Sequence, residues 1–233
     1  MRKNRIFLSS IVLFMMIALA VAVIRYVKAP LPIEVIKHFP FSKENSLKEW
    51  KEKIFKGRVE YNIKKQDHES FVFATSRGTA SALFYKITLD IKKRPVISWR
   101  WNTKKFPAKD GVEDLKNAKQ DDFSARVYVI FPAFFFTNSR AIEYIWAEKI
   151  KEGTISPSPY SRNLQLIVVE SGGREEEWVS EERDIYEDYI KAFGEEPRYN
   201  IGAIAFMTDA DSTKSTAEAF YDEIKIGYKK EEK

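Results

Sequence analysis

The sequence predicts a mainly β fold, an antiparallel β-sandwich or jelly roll with two short helices, preceded by one N-terminal transmembrane helix. Three observations predict it. Most segments after Ile33 alternate apolar and polar residues with a period of two, as half-buried strands do. About ten such segments follow one another without the regular strand–helix alternation of a parallel α/β sheet. Ile6 to Ile24 is an uncharged run of about 19 residues behind the basic start Met1-Arg2-Lys3-Asn4-Arg5.

At ~1.5 Å per residue that run just spans a hydrocarbon core of ~30 Å. It exceeds the roughly 7–15 apolar residues of a signal peptide. Pro30, directly after Ala29, is a poor residue beyond a cleavage point. Residues 1–28 are therefore read as a membrane anchor, with a cleaved signal segment as the alternative. Residues 29–233 are read as one exported sandwich domain. The basic start stays inside and residues 6–24 are the membrane partner.

The exported part opens on Ser46-Leu47-Lys48-Glu49, a capping box in which serine and glutamate satisfy each other's amides. Leu47, Trp50 and Ile54 share a helical face, and Gly57 is a stop. A first helix is expected here. Strands are expected over 59–63, 71–76, 83–91, 96–101, 125–131, 142–147 and 164–170, then over 202–208 and 218–226. A second helix is expected over Glu181–Phe193, with Ser180 as N-cap and Gly194 as terminator. Residues 102–120, rich in Lys and Asp and containing Pro107 and Gly111, read as a long solvated loop.

Composition excludes several chemistries. There is no cysteine, which removes disulfides, thiolate metal sites and cysteine nucleophiles. The two histidines, His38 and His68, are too few for a three-histidine zinc site, and no G-x-S-x-G accompanies them. Five of the 39 basic residues lie in 1–28 with no acid, so the remaining 34 match the 34 acids. The net charge of +5 belongs to the leader and does not point to nucleic acid.

Several segments form a recognisable ordered set. They are Ile97-Ser98-Trp99-Arg100-Trp101, Asp121-Asp122-Phe123-Ser124-Ala125-Arg126-Val127-Tyr128 and Tyr144-Ile145-Trp146. Further along come Glu182-Arg183-Asp184-Ile185-Tyr186-Glu187-Asp188-Tyr189, Met207-Thr208-Asp209-Ala210-Asp211-Ser212-Thr213 and Ala219-Phe220-Tyr221-Asp222-Glu223-Ile224. This set resembles the bacterial exported family called domain of unknown function 3047. The resemblance implies an exported protein and supplies no activity; the anchor reading of residues 1–28 places it at the bacterial cytoplasmic membrane. Trp50 at the opening and Tyr221-Asp222-Glu223-Ile224 at the close also look like carbohydrate-binding jelly rolls.

Candidate site residues come from the strand patterns. Alternation puts Ile97, Trp99 and Trp101 on one face and Ser98, Arg100 and Asn102 on the other. Likewise Ala125, Val127, Val129 and Phe131 face the core while Arg126 and Tyr128 face away. Two guanidiniums and a tyrosine on an outer face can grip carboxylate or phosphate groups bidentately. The competing reading is internal pairing with Asp121, Asp122, Glu182 or Asp188. Trp99, Trp101, Tyr144, Trp146 and Trp178 can stack on sugar rings or fill the core. The candidate ligand set is Arg100, Arg126, Tyr128, Asp122 and Trp146.

Asp209, Asp211 and Asp222 form a candidate calcium site if the last two strands pair as a hairpin. Asp209-Ala210-Asp211-Ser212-Thr213 also fits the D-x-D-x-T of aspartate phosphatases, but too little chain follows it to build that sheet. An EF-hand fails at Lys214 and Phe220, where Gly and Glu are needed. Phe134-Phe135-Phe136 cannot all face one core and reads as a rim touching a partner or membrane, or as a segment buried under the 102–120 loop. The expected function is binding of a polar ligand, a glycan or envelope polymer. The alternatives are a glycan-acting enzyme, which needs two carboxyl groups roughly 5–9.5 Å apart across a cleft, and an envelope scaffold that binds another protein.

Overall fold

The computed structural model describes residues 33–173 and 177–230. The apolar run 6–24 lies outside them. Among the described residues no helix is long and apolar enough to cross a membrane.

Among the described residues thirteen strands form two sheets. In the first, β11 (Val179–Asp184), β6 (Pro95–Lys105), β13 (Thr216–Lys229), β4 (Glu69–Arg77) and β3 (Glu60–Gln66) lie in that order, and β1 (Ile33–Phe39) pairs with the last half of β13. In the second the order is β2 (Lys51–Lys56), β5 (Ala80–Leu89), β12 (Ile201–Asp209), β7 (Ala125–Phe131), β8 (Arg140–Ala147), β10 (Ser161–Ser171) and β9 (Ile155–Ser158). The mainly β sandwich expected from the period-two pattern is present, with one α-helix among the described residues, α1 (Ile185–Phe193).

The inward residues are those alternation selects. Ile97, Trp99 and Trp101 of β6 meet Ala125, Val127, Val129 and Phe131 of β7 and Tyr144 and Trp146 of β8 in one buried cluster. Trp99 lies 5.2 Å from Trp101 and 5.3 Å from Tyr144, and Trp101 lies 5.7 Å from Trp146. Aromatic pairs at such separations add to the area they bury.

Five expectations change. The first helix is a single 3-10 turn, Ser46–Glu49, after which the chain runs as edge strand β2 along β5. Trp50 explains this. It is buried against Phe39 at 4.6 Å and Phe206 at 4.8 Å, and one large ring in the core outweighs a few helical hydrogen bonds. The second helix begins four residues late because 179–184 pairs with β6. Asp184, not Ser180, accepts from the Glu187 amide as N-cap, and Gly194 closes the helix at φ 71°. The sandwich is not wholly antiparallel, since β10 runs parallel to β8. Strands β12 and β13 are in different sheets and do not form a hairpin.

The fifth change concerns residues 102–120. β6 continues to Lys105, and the rest is an ordered cover over the outer face of the seven-stranded sheet. Leu115 and Phe123 pack on Ile145, Leu166 and Val168. Glu113 is buried, pairs with Lys109 at 2.6 Å and accepts the Lys149 amide at 2.7 Å.

Candidate functional site

Arg100 and Arg126 both point outward, but from different sheets of the sandwich. They therefore lie on opposite sides of the domain and do not form one site. Arg126 is enclosed beneath the 106–124 cover, its side chain 4% exposed. Its Nε donates to Asp209 Oδ1 at 2.8 Å, its Nη1 to Glu143 Oε1 at 2.5 Å and its Nη2 to the Asp121 carbonyl at 2.5 Å. A second contact to Asp209, at 2.7 Å, makes that pair bidentate. Burial pushes the Asp209 carboxyl well up and that of Glu143 up to about 7, against the pull of Arg126 on both. Arg126 is thus the centre of a buried ion-pair network.

The other predicted residues sort the same way. Tyr128 contacts Arg126 and Met207 on that covered face. Trp146 is wholly buried between the sheets and donates to the Gly172 carbonyl. Asp122 is buried and accepts the amides of Ser212 and Thr213. It joins Asp209 and Asp211 in a group whose carboxylate oxygens lie within 4.8 Å of one another. Asp222 is not with them. It sits on β13 of the other sheet, 3.7 Å from Arg100, with its carboxyl pushed up to about 6 chiefly by burial. Of the candidate ligand set, Arg100 touches Glu69 and Trp178, two residues that line an open space.

That space is a groove across the outer face of the six-stranded sheet, with a cavity volume of about 1030 Å3. Alternation builds it. Val72 and Ala74 of β4 and Ala219 and Tyr221 of β13 face the core, so Phe71, Phe73 and Phe220 face out. Phe71 and Phe220 lie 5.2 Å apart, and Trp178 closes over them at 5.3 Å and 6.1 Å. Arg100 stacks over Trp178 at 5.0 Å.

Polar groups surround these rings. Lys64 and Gln66 come from β3, Glu69 from β4, and Asn102 and Lys104 from β6. Lys64 lies 3.8 Å over the Phe73 ring and has no carboxylate partner among the described residues, whereas Lys104 pairs with Glu218 at 3.0 Å. Asn102 is buried in the groove floor, and its Oδ1 has no hydrogen-bond partner. His68 lines the groove too, while His38 pairs with Glu223 at 3.0 Å. Sequence reasoning missed Phe71, Phe220, Lys64 and Glu69. The available signal was Phe-Val-Phe at 71–73, which places two rings on the face opposite Val72.

The profile of the DUF3047 family, described as a protein of unknown function, matches residues 48–225, most of the chain. The chain belongs to the DUF3047 family. No curated protein sequence matches this DUF3047 chain significantly. Among solved structures it is similar to the family 30 carbohydrate-binding module of a cellulosomal cellulase of Clostridium thermocellum. Identity is 7% over 78% of this chain and 93% of that one, with a TM-score of 0.45. An engineered variant of the Cel12A cellulase of Rhodothermus marinus gives 8% identity over 76% and 95%, with a TM-score of 0.45. A mannan-recognising carbohydrate-binding module gives 10% identity over 86% and 99%, with a TM-score of 0.40.

Proposed function

We propose that this DUF3047 protein is a glycan-binding module, held at the cytoplasmic membrane by residues 6–24, whose exported domain binds a glycan or envelope polymer in the groove of the six-stranded sheet. The observation that carries the reading is the pairing of partly open rings, Trp178 and Phe220, with polar groups from three strands in one groove. Sugar rings offer C–H faces that stack on aromatic faces, and hydroxyls that need both donors and acceptors. Lys64 and Gln66 donate, and Glu69 accepts.

Binding fits the groove better than hydrolysis. A glycosidase needs a carboxyl group held protonated near neutral pH beside the cleft. Among the described residues the carboxyl groups pushed up, Glu143, Glu181, Asp209 and Asp222, do not line the groove.

The test is titration of the protein with a panel of soluble oligosaccharides, followed by tryptophan emission. Trp50, Trp99, Trp101 and Trp146 are buried, so a ligand-dependent change reports on Trp178. The expected result is saturable binding that Trp178→Ala weakens at least tenfold, with thermal unfolding little changed. Binding undiminished in Trp178→Ala, or none across the panel, would overturn the reading.

A further inference from the structure

One end of the sandwich gathers features that the groove does not use. The chain enters there at Ile33, which pairs with Lys229 at the close of β13. The β5–β6 turn lies at the same end, since the Asp90 amide donates to the Tyr228 hydroxyl. So does the β7–β8 connection, since β7 ends at Phe131, opposite Arg140, and its partner β12 begins beside Leu89. Asn163, ahead of the pairing of β10 with β8, donates to the Thr137 carbonyl of that connection.

The tip of the β7–β8 connection carries Phe134 and Phe135, 93% and 65% exposed, with their rings 5.1 Å apart. Two neighbouring phenylalanines in water on a loop tip bury nothing within the domain. The same end carries Lys92, Lys93, Arg162, Lys229 and Lys230, which are exposed and without acidic partners among the described residues. Beside the tip a polar pocket of about 160 Å3 is lined by Asn138, Arg140, Asn163, Tyr189, Arg198 and Tyr199. Its two guanidiniums share one carboxylate, Glu195, at 2.5 Å and 3.3 Å, so the pocket keeps one uncompensated positive charge.

We propose that this end docks on an anionic bilayer, with Phe134 and Phe135 in the headgroup–acyl boundary and the Arg140–Arg198 pocket holding a lipid phosphate. The chain itself argues for a membrane rather than a protein partner. Only eight residues separate Ile24 from Ile33, a reach of at most about 30 Å, and they join the domain at this end. Aromatic side chains favour the interfacial zone, basic side chains favour anionic headgroups, and guanidiniums grip phosphate. The inference rests on the membrane reading of residues 6–24.

The natural chain has no cysteine, so single labels are clean. The full chain carrying Phe134→Cys, labelled with an environment-sensitive fluorophore, is reconstituted into nanodiscs of phosphatidylethanolamine and phosphatidylglycerol. The control is Val112→Cys, 87% exposed in the 106–124 cover. The expected result is a blue-shifted label at 134 that loses most of its emission to quenchers borne on the lipid acyl chains, while the label at 112 loses little. Arg198→Glu should then at least halve the quenching at 134. Inorganic phosphate that abolishes the quenching as a free competitor would show that the pocket takes the free ion instead. A chain that co-elutes with nanodiscs but whose label at 134 is no better shielded than that at 112 overturns the docking proposal alone. A chain that does not co-elute overturns the membrane reading, and the docking proposal with it.

Discussion

Arg126→Ala is the sharpest perturbation the structure offers. The guanidinium holds Asp209 bidentately and Glu143 at 2.5 Å, and its loss leaves two carboxylates buried without a cation. Removing one partner of a buried ion pair costs about 3–5 kcal/mol. Protonation limits the loss, because neutralising a carboxyl of ordinary pKa near 4 at pH 7 costs about 4 kcal/mol. The same limit fixes the pH dependence. Without Arg126 the folded-state carboxyl pKa values rise further above their unfolded values. The deficit then shrinks between pH 7 and pH 5, by less than a full protonation step per group, because burial already holds both carboxyl pKa values up with Arg126 in place. The assay is urea unfolding of the detergent-solubilised full chain, wild type beside variant, at both pH values. A loss under about 1 kcal/mol at pH 7, or a loss that grows as the pH falls to 5, would refute the buried-network account.

Three other outcomes follow from the same coordinates. Burial pushes Glu143 up to about 7 and Asp222 up to about 6, and burial together with neighbouring Glu170 pushes Glu181 up to about 8. Each contributes stability that is complete below the ordinary carboxylate range and lost as the pH rises through those values, so Tm should be higher at pH 5.5 than at pH 8.5; a Tm that rises across this window would reverse the sign. Gly227→Ala should cost about 1–3 kcal/mol and loosen β1, because a Cβ there would stand 2.0 Å from the Glu34 carbonyl oxygen, and amide exchange of β1 no faster than in wild type would count against this. The Asp122, Asp209 and Asp211 carboxylates already face the amides of Ser212, Thr213 and Phe123 and the cations Arg126 and Lys56, so calcium and chelator should leave Tm unchanged; a rise of several degrees with calcium would make the cluster a metal site.

The strand faces were legible because period two is a local property. The inward assignment of Trp99, Trp101 and Val127 and the outward assignment of Arg100 and Arg126 needed only each strand's own residues. Which sheet a strand joins is not local. Arg100 and Arg126 share an outward sense, but β6 and β7 belong to different sheets, so one expected site became two unrelated places. Asp222 parted from Asp209 for the same reason, since the chain changes sheet between β12 and β13. The first helix failed differently. Its capping box and apolar spacing are consistent with helix, but pairing with β5 and the burial of Trp50 are long-range gains invisible in a short window. The groove was missed because an aromatic on a strand is usually core, and Phe71 and Phe220 become a wall only once Val72 and Tyr221 are seen to fill the interior.

The arrangement of β1 has a mechanical consequence. β1 begins at the end where the chain enters and lies antiparallel along the last half of β13, from Ile33–Lys229 to Phe39–Ile224. A tension applied ahead of Ile33 acts along the strand axis, while the ladder bonds run across it. The bonds therefore share the load in shear instead of opening one after another like a zip. β13 passes that load to β6 along most of its length and to β4 beyond β1, the strands that carry the groove. If the domain is tethered ahead of its first strand and binds a polymer in that groove, as proposed, the load runs in shear through the six-stranded sheet, with the seven-stranded sheet outside the line of force.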